Sequence, residues 1–239
     1  MKTPSILLVR PQMGENIGAA ARAMANFGLK ELRLVAPRDG WPNPKASDTA
    51  GKALDIIDDA SVHEDVKSAL ADCQFVLATT ARERAMNLPV MEMREAMQLL
   101  RTRAARGEKC ALMFGPERTG LENEDIALAD AVVSIPVAPE YTSLNIGQAV
   151  VVAAYEWFMT VAHDATGGEA AALPAAPRAQ LEGLLGQLEA ALDGVNFWRV
   201  PEKKDIMWRN LRATLVRAGL SEQEIASWRG VIRALRQGE

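Results

Sequence analysis

Residues 5–36 read SILLVRPQMGENIGAAARAMANFGLKELRLVA, and they decide the fold class. Ser5 to Val9 is a short apolar run of strand length. A polar turn holding Gly14 and Gly18 follows, then small residues at helical spacing up to Gly28, then a second apolar run, ELRLVA. Strand, helix and strand in this order make the unit of a parallel sheet, because parallel neighbours need a crossover connection. The alternation continues outward. A helical region around VHEDVKSALADC precedes a strand in QFVLATT, a helix in EMREAMQLLRTRAARG and strands in KCALMFG and AVVSIPV. A long helical run, LNIGQAVVVAAYEWFM, closes the series. The expected fold is α/β, a mostly parallel sheet with helices on both faces.

The pattern stops near Met159. The next stretch, AHDATGGEAAALPAAPR, is rich in Ala, Gly and Pro and carries no periodic apolar face, so it reads as a linker. Beyond it AQLEGLLGQLEAAL, DIMWRNLRATLVRAGL and SEQEIASWRGVIRALR each show helical spacing, and Ser221 with Glu224 has the spacing of a capping box. A small appendage of three helices is expected.

A chain of 239 residues, 49% hydrophobic and 24% charged, has the composition of an ordinary globular protein with a real core. No segment supplies the roughly 18 uninterrupted apolar residues of a membrane span. The start, MKTPSILLVRPQ, is broken too early for a signal peptide. A cytoplasmic location is expected. Cys73 and Cys110 each adjoin an apolar strand and read as reduced, buried thiols. His63 and His163 stand alone, without a second ligand at metal spacing, so no metal site is expected. The formal net charge of -4 does not advertise nucleic-acid binding. The charge is uneven, however. Between Arg199 and Gly238 nine basic residues face four acidic ones, which makes the tail a basic module on an acidic chain.

Three segments carry candidate chemistry. In the first, PQMGENIGAAARAMANFG (residues 11–28), a strand ends in a turn that opens a helix, where exposed backbone amides make an anion site. The spacing of Gly14 and Gly18 is neither a dinucleotide fingerprint nor a P-loop. On a helix starting near Ile17, Arg22 lies little more than one turn in, among Ala, Met and Phe, and either reaches solvent along its stem or finds a partner in a cleft. In the second, LMFGPERTGLENEDI (residues 112–126), Gly115 and Pro116 break an apolar strand ahead of Glu117, Arg118 and Gly120. This is a tight turn or a place where a ligand approaches the backbone at a strand's carboxyl end. In the third, IPVAPEYTSLNIGQA (residues 135–149), Thr142, Ser143 and Asn145 precede a long apolar helix. A helix cap explains part of that pattern but not its Pro-rich, polar approach.

Together, in this order and spacing, NIGAAARAMANFG, FGPERTGL and IPVAPEYTSLNIGQA resemble the three motifs of the SPOUT methyltransferases, specifically the TrmH-like 2'-O-ribose methyltransferases of RNA. The tail resembles the helical extension of the TrmJ subgroup. The resemblance implies a methyltransferase domain over residues 1–161 with a C-terminal trefoil knot, a linker over 162–178 and a helical, RNA-binding extension over 179–239. It implies S-adenosylmethionine as cofactor, held by Thr79, Thr80 and Ala81, by Gly115 and Glu117, and by Ile135, Ser143 and Leu144. Arg22 then matches the catalytic arginine, with Asn16 supporting it and Glu117, Ser143 and Asn145 facing the same site. The implied partners are tRNA, modified at cytidine or uridine 32 of the anticodon loop, and a second copy of the chain in a homodimer. Lys203, Lys204, Arg209 and Arg212 are the candidates for phosphate contacts, with Trp198 or Trp208 stacking on a base or packed in a core. Ribosomal RNA or another tRNA position is the alternative substrate. Two other readings are a non-catalytic RNA-binding protein on the same scaffold and a nucleotide-dependent enzyme with a phosphate loop at Gly14 to Gly18.

Overall fold

The computed structural model describes residues 3–80, 88–138, 140, 144–160 and 174–237. Among the described residues seven strands form one sheet: β1 (Ser5–Val9), β2 (Leu32–Val35), β3 (Ser61–His63), β4 (Phe75–Thr79), β5 (Val90–Glu92), β6 (Cys110–Phe114) and β7 (Ala131–Ser134). Their order is β3-β2-β1-β6-β4-β7-β5, and every pairing is parallel. All strands therefore deliver their following loops to one edge, the carboxyl end, where open α/β sheets bind ligands. β6 lies between β1 and β4, and β7 between β4 and β5, so two late strands enter between strands formed earlier in the chain.

Side-chain alternation along β1 shows how the two faces are covered. Ile6 and Leu8 join a core with α1 (Gly14–Asn26), α2 (Pro44–Ala50), α3 (Leu54–Asp58), α5 (Met93–Ala105) and α7 (Ile146–Met159). Leu7 and Val9 face the other way, against α4 (Val66–Leu70) and α6 (Asn123–Ile126). The period of two in the strand thus meets apolar helix stripes on both sides. Cys73 and Cys110 lie in these cores as free thiols, and burial pushes each up to about 12. Such thiols stay protonated and are poor nucleophiles.

α1 starts at Gly14, earlier than the expected Ile17, because Met13 in extended conformation serves as N-cap without a side-chain bond. The two glycines of this turn are packing residues. A Cβ at Gly14 would lie 2.6 Å from Asn43 Cγ, and one at Gly18 would lie 2.8 Å from Thr49 Cβ. Both face α2 and its cap, which closes the space that a phosphate loop would need. Edge strands β3 and β5 and helices α2 and α3 are additions to the expected elements; at three to seven residues they are too short for periodicity to reveal.

The C-terminal helices α8 (Arg178–Gly194), α9 (Lys204–Arg217) and α10 (Glu222–Gln237) share a separate core built on Leu181, Leu184, Leu185, Val216, Ile225 and Ile232. Ser221 and Glu224 cap α10 reciprocally, with the Ser221 amide 2.7 Å from Glu224 Oε2. Residues 174–177, read from sequence as linker, are already ordered: Ala175 and Ala176 are buried, and the Ala176 amide donates to Leu220 O. Arg178 is likewise the first residue of α8. Its guanidinium is buried against Asp130, whose Oδ2 also accepts the Val76 amide at 2.7 Å. The Arg178 and Ala179 amides donate to Cys73 O and Ala71 O, so the extension is docked on the amino end of β4.

Candidate active site

Three chain segments meet over the carboxyl ends of β1, β6 and β7. Leu8 of β1 pairs with Phe114 of β6, so the turns after these strands run side by side. The Gln12 amide donates to Glu117 Oε2 at 3.1 Å. Asn16, buried in the first turn of α1, donates from Nδ2 to Glu117 Oε1 at 2.6 Å and accepts at Oδ1 from Asn145 Nδ2 at 2.8 Å. Asn145 caps α7 in turn: its Oδ1 accepts the Gly147 amide at 2.8 Å, and its own amide donates to Gln148 Oε1. A carboxylate only accepts, so Glu117 dictates which way the Asn16 amide points, and Asn16 then dictates Asn145. One hydrogen-bonded chain joins all three segments.

Arg22 lies more than two turns into α1, exposed, with no hydrogen bond or ion pair among the described residues. Asn16 does not support it directly, since both ends of its amide are engaged by Glu117 and Asn145. The arginine instead follows the seam where α1 and α7 run together. A Cβ at Gly147 would lie 2.9 Å from Ala19 Cβ, and the Phe27 ring meets Tyr155 and Phe158 at 5.9 and 6.0 Å. Arg22 stands between these two contacts along the helix.

The remaining residues form a rim. Thr79 and Thr80 end β4 between β6 and β7; Thr79 Oγ1 donates to Met113 O at 2.8 Å, and the Thr80 amide donates to Val133 O. Gly115 follows β6. A Cβ there would lie 2.9 Å from Leu121 Cα and closer still to the Leu121 amide, so the loop from Gly115 to Leu121 folds back on itself only because residue 115 lacks a side chain. Ile135 packs against the core after β7, and Leu144 is half-buried before the α7 cap. Ala81 and Ser143 lie outside the described residues. The half-buried rim of hydroxyl and aliphatic groups suits a purine nucleoside. Among the described rim residues no buried cation opposes a sulfonium, and Glu117 supplies a negative charge at the edge. The donor set therefore fits S-adenosylmethionine.

Sequence reasoning missed two residues here, because neither belongs to a pattern. Arg10, at the end of β1, has φ of 47° and pairs with Asp125 and Glu122, which ties the first turn to the start of α6. Arg38 donates its amide to Pro11 O at 3.1 Å and keeps its side chain in solvent.

The tail candidates divide. Lys203 is exposed, and Arg209 is half-exposed with Nε on the Asp205 carbonyl. Lys204 is paired with Asp193 at 2.7 Å. Arg212 is a correction: its guanidinium is buried in a two-pronged pair with Glu182, so it braces α9 against α8 rather than meeting phosphate. Trp198 is also buried, its Nε1 on Asp193 Oδ1, and Trp208 packs against the helical core. Among the described residues no cluster could hold a metal ion, and no helix is long and apolar enough to cross a membrane.

Comparison with known proteins places this geometry. The family described as SpoU rRNA Methylase matches residues 4–155. A tRNA (cytidine/uridine-2'-O-)-methyltransferase TrmJ of Sodalis glossinidius is 37% identical over 234 residues, 96% of this chain and 90% of that one. LasT of Escherichia coli, an uncharacterized tRNA/rRNA methyltransferase, is 41% identical over 152 residues, 64% of this chain and 66% of its own. The crystal structure of TrmJ from Z. mobilis superposes with a TM-score of 0.88 at 43% identity, covering 98% of this chain and 100% of that one. The segments that build the amide chain all fall inside the family match, and the chain belongs to the SpoU rRNA methylase family.

Proposed function

We propose that this protein transfers a methyl group from S-adenosylmethionine to a ribose 2'-hydroxyl of tRNA, at cytidine or uridine 32 of the anticodon loop. The observation that carries the reading is the Glu117–Asn16–Asn145 chain beside an exposed arginine that no described residue neutralises. When bound, the cofactor supplies a methyl carbon on a sulfonium, an electrophile that needs no metal. Thr79, Thr80, Gly115, Glu117, Ile135 and Leu144 would hold it; the other two candidates, Ala81 and Ser143, lie outside the described residues. Displacement at that carbon requires the 2'-oxygen in line and its proton removed. Arg22 is not the base, because a guanidinium keeps its proton throughout the working pH range. It clamps the neighbouring phosphate and stabilises the developing alkoxide, while the proton leaves to that phosphate or to water. Asn16 and Asn145 keep α1 and α7 in register, so that Arg22 and the cofactor rim stay aligned.

The same reading takes residues 1–161 as the methyltransferase domain, 162–178 as linker and 179–239 as the RNA-binding extension. Lys203 and Arg209 are its remaining phosphate contacts. The entry of β6 and β7 between earlier strands supports a knotted path; the segments 81–87 and 141–143 that would complete the threading lie outside the described residues. A homodimer is supported by the exposed apolar strip of α7, Val151, Tyr155, Phe158 and Met159, continued by Phe27. Such a face is what a second copy covers. A cytoplasmic location accords with a tRNA substrate.

The test is methyl transfer from labelled S-adenosylmethionine to purified unmodified tRNA, with Arg22→Ala beside wild type and the product mapped by nucleoside mass spectrometry. A 2'-O-methyl mark in the anticodon loop that disappears in the variant is the expected result. The family name and the LasT similarity both point to ribosomal RNA as the second substrate to try. Transfer to that RNA alone would keep the chemistry and replace the substrate.

A further inference from the structure

The segment from Pro37 to Lys45 is a rim beside the amide chain, and its cations differ from the arginines buried in the fold. Three ties fix its place. The Arg38 amide donates to Pro11 O at 3.1 Å, one residue before the Gln12 amide that holds Glu117. Asn43 fills the space over Gly14, and its Oδ1 accepts the Lys45 amide at 3.1 Å. Trp41 packs against the main core. The side chains that this rim presents point to solvent: Arg38 is 58% exposed and Lys45 is 67% exposed. Among the described residues each is held by one partly exposed carboxylate, Asp39 at 2.8 Å and Glu15 at 3.1 Å. Such surface pairs are worth at most about 1 kcal/mol, so a phosphate can displace them. Arg33, Arg178 and Arg212 show the opposite arrangement, with guanidinium groups buried against carboxylates.

Arg38 follows Pro37 in the turn that bonds to the Pro11 carbonyl, next to the turn whose Gln12 amide holds Glu117. Arg118 follows Glu117 directly in the loop after β6, exposed and with no partner among the described residues. Arg118 thus adjoins Glu117 in sequence, and Arg38 is tied through its amide to the residue before Gln12, on a protein whose net charge is negative. A polyanion brought to this site meets its cations at this edge. A guanidinium is also the group that takes a phosphate two-pronged, and a pinned rim loses little entropy in doing so.

We infer that the Pro37–Lys45 rim is a backbone-binding subsite for the substrate RNA, in which Arg38 takes a phosphate flanking the reacting ribose and Lys45 the next along the strand. The inference rests on RNA being the substrate. Recognition here is of phosphate and not of base, so the rim sets affinity and register and carries no nucleotide choice.

The experiment measures the dissociation constant of an unmodified tRNA transcript as a function of KCl for the full chain, Arg38→Ala, Arg38→Lys and Lys45→Ala. Affinity for S-adenosylmethionine and thermal stability are read in parallel. Removing one phosphate contact lowers the slope of log K against log salt by about 0.7 to 0.9. Arg38→Ala is expected to show that drop, with affinity for RNA reduced about fivefold to tenfold and with cofactor affinity and melting temperature unchanged. Arg38→Lys keeps the wild-type slope, and Lys45→Ala behaves as a weaker copy of Arg38→Ala. An unchanged slope in Arg38→Ala overturns the inference while leaving the methyltransferase reading intact. A loss of melting temperature together with cofactor affinity also overturns it, since the rim would then only pack. A wild type that neither binds nor methylates RNA overturns both.

Discussion

The two ends of the parallel sheet treat charge in opposite ways. At the amino end Arg33 is buried between Glu31 and Asp72, Lys109 reaches the same two carboxylates, Arg103 meets Glu108, and Arg178 meets Asp130. At the carboxyl end Arg10 also meets a buried carboxylate, Asp125, but the three motif segments are joined by amides arranged around Glu117, and Arg22 and Arg118 stand exposed without a partner among the described residues. A buried charge without a partner costs several kcal/mol, so a cation that serves the fold must bring its carboxylate with it. A cation that serves a reaction is left for an anion that arrives. Burial of the pair, more than position in the sequence, separates Arg33 and Arg178 from the exposed arginines of this protein.

The largest expected effect tests the amino end. Arg178→Ala leaves Asp130 buried with only the Val76 amide, and stability should fall by about 3–5 kcal/mol. Burial pushes the Asp130 carboxyl up. With Arg178 gone, the folded state therefore prefers it protonated. A group raised in the folded state contributes its stability below its unfolded value, about 3.9, and loses it as pH rises. The deficit of the variant should accordingly be smallest near pH 4 and grow toward neutrality in thermal unfolding. The double variant Arg178→Leu, Asp130→Leu should recover most of the loss. A deficit under about 1 kcal/mol for Arg178→Ala at pH 7 would break the distinction between the two ends, because it would put this pair with surface pairs.

Next comes the carboxyl end. Arg22→Ala should lower turnover about 10²- to 10³-fold, the usual cost of removing one preorganised stabilising donor. Melting temperature should stay put, since no described contact is lost. Arg22→Lys should fail nearly as badly, because an ammonium cannot bridge phosphate and alkoxide in a fixed fork. Near-normal turnover by the Lys variant would reduce Arg22 to a point charge. Glu117→Gln is the subtler perturbation. Glu117 accepts from both Gln12 and Asn16, whereas a glutamine amide would turn a donor toward one of them. A lost charged hydrogen bond costs about 1.5–3 kcal/mol, so kcat/KM should drop roughly 10- to 100-fold with RNA binding less affected than cofactor binding. Equal loss of both would mean that the chain supports the fold and not the alignment.

How much of this was legible beforehand follows from what periodicity and motifs can carry. The strands and long helices were readable because apolar runs and helical spacing extend over enough residues to be distinctive, as in SILLV and IGQAVVVAAYEWFM. The three-residue strands β3 and β5 give no period, and the start of α1 was misplaced because its cap, Met13, has no capping side chain. Asn16, Glu117 and Asn145 were found one by one through motif resemblance, but the bond between Asn145 and Asn16 joins positions 129 residues apart, which no local pattern contains. Charge counting misled at Arg212, since a sum over the tail cannot see that Glu182 lies opposite it. Arg10 and Arg38 went unnoticed for the same reason in reverse: their importance is a matter of which turns lie beside them.

The smallest effect sharpens the comparison by asking whether partly exposed members of the amino-end cluster follow the same rule. Asp72 is half-exposed yet accepts from Arg33 at 2.7 Å and from Lys109 at 2.7 Å. Burial alone would raise its carboxyl, but these two cations outweigh it and hold the group well below the usual carboxylate range. A carboxyl depressed in the folded state contributes stability above its unfolded value, about 3.9, and loses it as pH falls toward the depressed value. Solvent screening limits the contribution to about 1 kcal/mol or less. Asp72→Asn should therefore melt slightly lower than wild type at pH 7, and the two melting curves should converge as pH drops below about 4. Curves that stay parallel to pH 2 would show that the Asn variant loses packing rather than charge, and that the matched charges of the amino end matter only where water is excluded.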